Sequence, residues 1–149
     1  MPKFDVTDET VIDANPKIVY NAILDELAGV THWSPPNVGY KLRGDLPIRE
    51  GSIVDANIRD KGLTVKFSIT VKKLVEYKSI DEELAGDFVG TGNWTFAPTD
   101  EKTKAQYRIN AKTNTLLFSL FAPFINTGKS HSDLMQKGFK GCNSYLCKK

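Results

Sequence analysis

The sequence predicts an α+β fold in which a curved, seven-stranded antiparallel sheet closes around a long C-terminal helix, with two short helical segments after the first strand. Three observations carry this. From Val38 to Thr113 apolar and polar residues alternate with period two, the pattern of antiparallel strands with one wet and one dry face. From Ser130 to Lys149 the period becomes helical, with an apolar stripe of His131, Leu134, Met135, Gly138, Cys142, Tyr145 and Leu146. That stripe needs apolar cover, and the concave face of a strongly twisted sheet is the large apolar surface on offer.

The elements follow in order. Phe4 to Asp13 is a first strand. Asn15 caps a helix that begins at Pro16, carries Val19, Tyr20, Ile23, Leu24 and Leu27 on one face, and ends at Gly29. Thr31 to Pro36 is short, aromatic and proline-rich, a turn or a single helical turn at the core's edge. Six strands come next, at about Val38 to Arg43, Ser52 to Asp60, Leu63 to Leu74, Tyr77 to Leu84, Phe88 to Pro98 and Lys104 to Thr113. The clearest is the third of these, where Leu63, Val65, Phe67, Ile69 and Val71 alternate with Thr64, Lys66, Ser68, Thr70 and Lys72. By the same alternation Val54, Ala56 and Ile58 point inward. So do Ile80, Glu82 and Leu84, then Phe88, Gly90, Gly92, Trp94 and Phe96, then Ala105, Tyr107, Ile109 and Ala111.

At 149 residues the chain is read as one domain, residues 1–149, large enough to bury a core. With 40% hydrophobic and 26% charged residues and a net charge of +2, composition excludes disorder and collagen and does not point to nucleic acid as a partner. The longest apolar run, Leu116 to Ile125, contains Pro123 and is half the ~20 residues a membrane span needs. No positively charged start followed by an apolar block marks a secretory signal, so the expected compartment is cytoplasmic. Cys142 and Cys147 stand roughly 140° apart around a helix, which suits neither a disulfide nor a shared metal.

The residues that bear chemistry are few. Glu82 points inward by alternation, and a buried carboxylate must neutralise, pair or face water. It is read either as an acid or anchor for a ligand hydroxyl, or, more plainly, as an edge residue. A register slip at a bulge near Lys72-Lys73, turning Asp81 and Glu83 the other way, would serve equally. His32 and His131 are the only histidines, and beyond Asp133, two residues after His131, no carboxylate or cysteine stands near either in sequence as a metal partner. No nucleophile elbow, phosphate loop or zinc-protease motif is present, so no catalytic residue, metal or cofactor is expected. Gly90 and Gly92 leave two side chains missing from the dry face, which means either a sharp bend of the sheet or room for a ligand. Gly138 and Gly141 pose the same choice on the helix, close packing or a lined void. Leu116 to Ile125 is read as a helical segment kinked at Pro123, with a cavity gate or a patch for transient membrane-surface or protein contact as alternatives.

The order of elements, together with Ala14-Asn15-Pro16 before Val19-Tyr20, His32-Trp33, Gly44 and Gly51, Gly86-Asp87 with Gly90, Gly92 and Trp94, Thr103 before Tyr107, and His131, Met135 and Gly138, resembles the START-like (SRPBCC) superfamily. The resemblance covers nearly the whole chain and is closest to the polyketide cyclase/dehydrase-like branch. It implies the helix-grip fold known from the birch-pollen allergen. It also implies a ligand cavity between sheet and helix, with candidate ligand-binding residues Trp33, Phe67, Glu82, Gly90, Gly92, Trp94, Phe96, Tyr107, His131, Leu134, Met135, Gly138, Phe139 and Cys142. The first functional expectation is a monomeric carrier or sensor that encloses a small hydrophobic, lipid- or quinone-like molecule without transforming it. A cyclase or dehydratase acting on a polyketide-like or other apolar substrate, and a protein-interaction adaptor without ligand, are the alternatives.

Overall fold

In the computed structural model, residues 3–60, 62–113 and 127–147 are described. The chain runs β1 (Lys3–Ile12), α1 (Pro16–Leu27), β2 (Val38–Leu42), β3 (Ile53–Asp60), β4 (Leu63–Val75), β5 (Ser79–Gly86), β6 (Phe88–Thr99), β7 (Lys102–Thr113) and α2 (Thr127–Cys147). The seven strands form one antiparallel sheet in the order β1-β7-β6-β5-β4-β3-β2, so six of them are a meander and β1 joins its far edge.

Alternation decides what each strand buries. In β7, Thr103, Ala105, Tyr107, Ile109, Ala111 and Thr113 are buried and the residues between them are exposed or half-buried. On the outer face Arg108 pairs with Asp5 at 2.7 Å across to β1, and Arg43, just after β2, pairs with Asp55 of β3 at 2.6 Å. Helix α1 starts where the sequence says it must, with Asn15 Oδ1 accepting from the Ile18 N–H at 3.0 Å and Pro16 at the first position. It lays Val19, Tyr20, Ile23 and Leu27 on the sheet, and Tyr20 meets Phe96 edge-on at 5.7 Å. Helix α2 packs along β1 and buries Phe139, Cys142 and Leu146, with Met135 and Tyr145 half-buried beside them.

Two expectations are corrected. Residues 28–37 make turns, so only one helix lies between β1 and β2 rather than two. Pro35 and Pro36 lack the N–H groups a further helical turn needs. Glu82 is neither an edge residue nor slipped: β5 lies between β4 and β6, and Glu82 pairs with Val71 on one side and Gly92 on the other. The bulge does exist, since Val71 opposes Glu82 and Lys73 opposes Asp81, but β4 absorbs the extra residue, Lys72. Strand β5 therefore keeps its phase, with Ile80, Glu82 and Leu84 all buried. The Leu116 to Ile125 segment lies outside the described residues.

Gly90 is where strand β6 comes too close to β7 for any side chain. A Cβ there would overlap the Asn110 carbonyl oxygen and lie 2.6 Å from the Ala111 Cα. Both contacts are backbone and cannot swing aside, so this glycine belongs to the bend of the sheet. Gly90→Ala is expected to destabilise the fold by about 2 kcal/mol or more, the upper part of the overpacking range. The exposed neighbour Thr91→Ala should stay within about 0.5 kcal/mol. Urea unfolding of the two variants checks this.

Candidate functional site

Between the concave face and α2 lies a cavity of about 90 Å³. Every layer contributes to its wall: Ile23, Glu26 and Leu27 from α1, Trp33, Ser34 and Pro35 from the following turn, Val38 and Tyr40 from β2, and Ile58 from β3. Phe67 and Ile69 come from β4, Glu82 from β5, Phe88 and Trp94 from β6, Tyr107 and Ile109 from β7, and Leu134, Met135, Gly138 and Phe139 from α2. Nine of the residues expected at a ligand site thus meet around one space: Trp33, Phe67, Glu82, Trp94, Tyr107, Leu134, Met135, Gly138 and Phe139.

Four others do not line it. Gly90 serves the bend described above. Gly92 faces the interior, but the space where its side chain would stand is taken by the Tyr107 hydroxyl and by Glu82 Oε1, which a Cβ would meet at 2.6 Å. Phe96 is 6.0 Å from Trp94 in a stacked pair and packs under α1 with Tyr20. Cys142, fully buried, is one turn beyond Gly138, past the end of the cavity; burial pushes its thiol up to about 12, so it is an inert apolar packing group. The side chain of His131 lies outside the described residues. His32 is exposed and does not line the cavity.

The two helix glycines divide the same way. Among the described residues a side chain at Gly138 would meet nothing within 4 Å, whereas one at Gly141 would overlap the Trp33 carbonyl oxygen. Gly138 therefore borders open space, and Gly141 lets the helix lie against the turn that carries Trp33.

The polar feature of the cavity is Glu82. It is 3% exposed, and its Oε1 accepts a 2.9 Å hydrogen bond from the Tyr107 hydroxyl, which reaches across Gly92. Oε2 is buried and has no hydrogen-bond partner among the described residues; the same holds for the Trp33 Nε1–H. Burial pushes the Glu82 carboxyl up to about 7, the Tyr107 bond pulling it back and the Asp81 charge adding to the rise. Burial and the nearness of Glu82 raise the Tyr107 phenol well above its ordinary value, and Tyr40 is raised by burial, Glu82 and Glu26. Both phenols are therefore neutral donors beside a carboxyl poised near neutral pH. Among the described residues no three His, Cys, Asp or Glu side chains converge as a metal site requires.

A second buried carboxylate was missed by the sequence reading. Glu26 is 4% exposed and accepts from the Thr31 hydroxyl at 2.8 Å, the Trp33 N–H at 3.1 Å and the Ser34 N–H at 2.8 Å. It holds the turn 31–34, and with it Trp33, against the cavity mouth. The signal was present: Glu26 falls between Ile23 and Leu27 on the buried stripe of α1.

Both carboxyls can be tested by substitution. Glu26→Ala leaves two half-buried N–H groups and a hydroxyl without their acceptor. It should cost at least about 2 kcal/mol, from the ~1.5–3 kcal/mol typical of a hydrogen bond to a charged group. The amides of Trp33 and Ser34 should exchange faster while β4 amides keep their protection; unchanged exchange would show that the carboxylate is not the clamp. Glu82 makes stability pH-dependent with a definite sign. Its folded value near 7 exceeds the ordinary 4.5, so the folded state binds more protons between those values. The associated stability is complete below about 4.5 and is lost as pH rises through 7, by about 3 kcal/mol at ~1.4 kcal/mol per pKa unit. Asp5 and Asp55, held below their ordinary range by hydrogen bonds from Arg108 and Arg43, titrate below that window. The stability difference between Glu82→Gln and the parent chain should therefore shift toward the variant by about 2 kcal/mol or more from pH 5 to pH 8 in urea titrations.

Comparison with known proteins places this cavity in a family. The sequence model of the family described as polyketide cyclase / dehydrase and lipid transport matches residues 3–141. Among solved structures, protein TTHA0849 from Thermus thermophilus is similar with a TM-score of 0.75 and 18% identity over 97% of this chain and 98% of that one. The major latex-like protein 151 from Panax ginseng has a TM-score of 0.72 at 13% identity, covering 96% and 97%. The Zhui aromatase/cyclase from Streptomyces sp. R1128 has a TM-score of 0.67 at 12% identity, covering 97% and 93%. At these identities the structural likeness establishes the shared fold. No curated protein matches the chain by sequence. Among the described residues no helix is long and apolar enough to cross a membrane. A match over nearly the whole length, on a seven-stranded sheet curled around a C-terminal helix, makes the chain a member of the polyketide cyclase/dehydrase and lipid-transport family of the START-like (SRPBCC) superfamily.

Proposed function

We propose that this protein is a carrier or sensor that encloses a small, largely apolar molecule between sheet and C-terminal helix without transforming it. The observation that carries the reading is a cavity walled by aromatic and aliphatic side chains together with one buried carboxyl, Glu82, one of whose oxygens has no hydrogen-bond partner among the described residues. A packed core has no reason to keep such a group, because an unmatched buried polar atom costs about 1–3 kcal/mol. A ligand hydroxyl that meets it recovers that cost.

Size bounds the occupant. The cavity's 90 Å³ is below the ~150 Å³ of a cavity known to hold benzene, so a single ring fits only with slight expansion and anything lipid-sized requires the walls to part. Burying about 150 Å² of apolar ligand surface at ~25 cal/mol per Å² gives about 4 kcal/mol, a millimolar affinity. Tighter binding must come from the polar anchor and from extra area as the cavity opens.

The second reading, a cyclase or dehydratase, is favoured by one observation: a carboxyl near pH 7, hydrogen-bonded to a neutral phenol, is suited to moving a proton at neutral pH. Turnover that survives Glu82→Gln would remove it. The adaptor reading rested on Leu116 to Ile125, outside the described residues.

Gly138→Leu tests the carrier reading directly. The new side chain enters open space, and leaving glycine in a helix interior gains up to about 1 kcal/mol, so the variant should fold at least as stably as the parent. It should nonetheless lose a benzene-sized apolar probe by about tenfold or more, the effect of filling the site. Mass spectrometry of natively purified, then denatured protein should release a small molecule from the parent and not from the variant. Equal probe affinity in both would place binding elsewhere.

A further inference from the structure

The charges around the cavity carry a statement about the head group of its occupant. Of the described wall residues, Glu26 and Glu82 are the carboxyls, and none is Lys or Arg. Glu26 is already committed to three donors on its own turn. Glu82 is committed on one side only, through Oε1 to Tyr107, and its Oε2 is buried without a partner among the described residues. A donor group brought against Oε2 completes the carboxyl's hydrogen bonding. An anionic head group brought to the same place sets two carboxyls side by side in a low-dielectric space with no described cation to offset them, and such a pair ionises fully only at high cost.

We infer that Glu82 makes this cavity selective for uncharged, hydroxyl-bearing apolar molecules, alcohols or phenols, and against carboxylates of the same shape such as fatty-acid anions. The inference rests on the carrier reading and specifies the ligand class. Glu82 acts here as a specificity determinant that touches the ligand's head group. Tyr107 is a positioning residue: its hydroxyl occupies one carboxyl oxygen, so that only the other is left for a ligand donor that enters as the walls adjust. Gly92 permits this, since any side chain there would displace the pair.

A matched series tests the idea: benzene, benzyl alcohol and benzoate, titrated at pH 8 and followed by NMR chemical shifts. The parent chain should bind the alcohol about tenfold or more tightly than the carboxylate, the penalty of a like-charge contact. Glu82→Gln should narrow that ratio to about threefold or less, mainly by strengthening benzoate binding, while benzene affinity stays within about twofold because the apolar walls are unchanged. Glu82→Met, which removes the charge by a different isostere, is the second variant should the first not fold. Benzoate binding the parent as tightly as the alcohol, or a ratio unmoved in the variants, overturns the selectivity while leaving the carrier reading intact. Failure of all three probes to bind the parent overturns the carrier reading and the inference with it.

Discussion

A single hydrogen bond inside the apolar layer shapes much of what surrounds it. The Tyr107 hydroxyl reaches Glu82 Oε1 at 2.9 Å only because the residue between them on β6, Gly92, has no side chain. The sheet register makes this possible, setting Gly92 opposite Glu82 on β5 and opposite Ile109 on β7, with Tyr107 opposite the next inward residue, Trp94. Three strands must therefore hold their phase for one polar contact. A one-residue slip would turn Glu82 to solvent and bury Asp81 or Glu83 instead. The bulge at Lys72 is tolerated because it falls on β4 and leaves the phase of β5 to β7 untouched.

The same layer sets what the helices can do. Six strands in a meander plus β1 give a surface too wide for one helix to cover, and α1 and α2 share it. Where they fail to meet, the turn carrying Trp33 fills the gap, and it is held there by Glu26 from below and by the bare backbone of Gly141 from the side. The cavity is the space these three pieces leave over Trp94, Tyr107 and Glu82. Its mouth thus depends on a carboxylate clamp as well as on the apolar packing of Trp33. A turn tied down by hydrogen bonds at one point opens more cheaply than one buried along its length.

The sequence made the layers legible because periodicity reports which face is dry. Strand limits agree to within about two residues, the usual uncertainty of element ends, and Glu82, Trp94 and Tyr107 were all placed inward. What periodicity cannot report is how far apart two inward residues stand across the fold. Gly90 and Gly92 look alike in the pattern, yet one abuts backbone and the other makes room for a phenol. Gly138 and Cys142 are a turn apart on one stripe, yet one borders a void and the other is sealed. Tyr40 escaped notice for a related reason: β2 is short and none of its residues is fully buried, so its inward face carries a weak signal. Glu26 escaped because a charged residue on an apolar helix face is easily read as the stripe's margin.

Departures from what a stable core would choose are not scattered through this molecule. Glycine at 138 in a helix facing open space, a carboxyl near pH 7 with an unmatched oxygen, and a buried indole N–H without a described partner all adjoin one cavity, while the rest of the interior is largely conventional apolar packing. Each lowers stability on its own, and a nonpolar replacement at Glu82 or a longer side chain at Gly138 would raise it. Local rules broken together at one place are the pattern expected of a site kept for binding rather than for folding, and outside the cavity wall the one further buried side-chain polar atom without a partner among the described residues is the Thr113 hydroxyl at the end of β7. The alternative, a poorly optimised core, would spread such faults over the sheet. It would not leave β7 fully alternating across its whole length beside them.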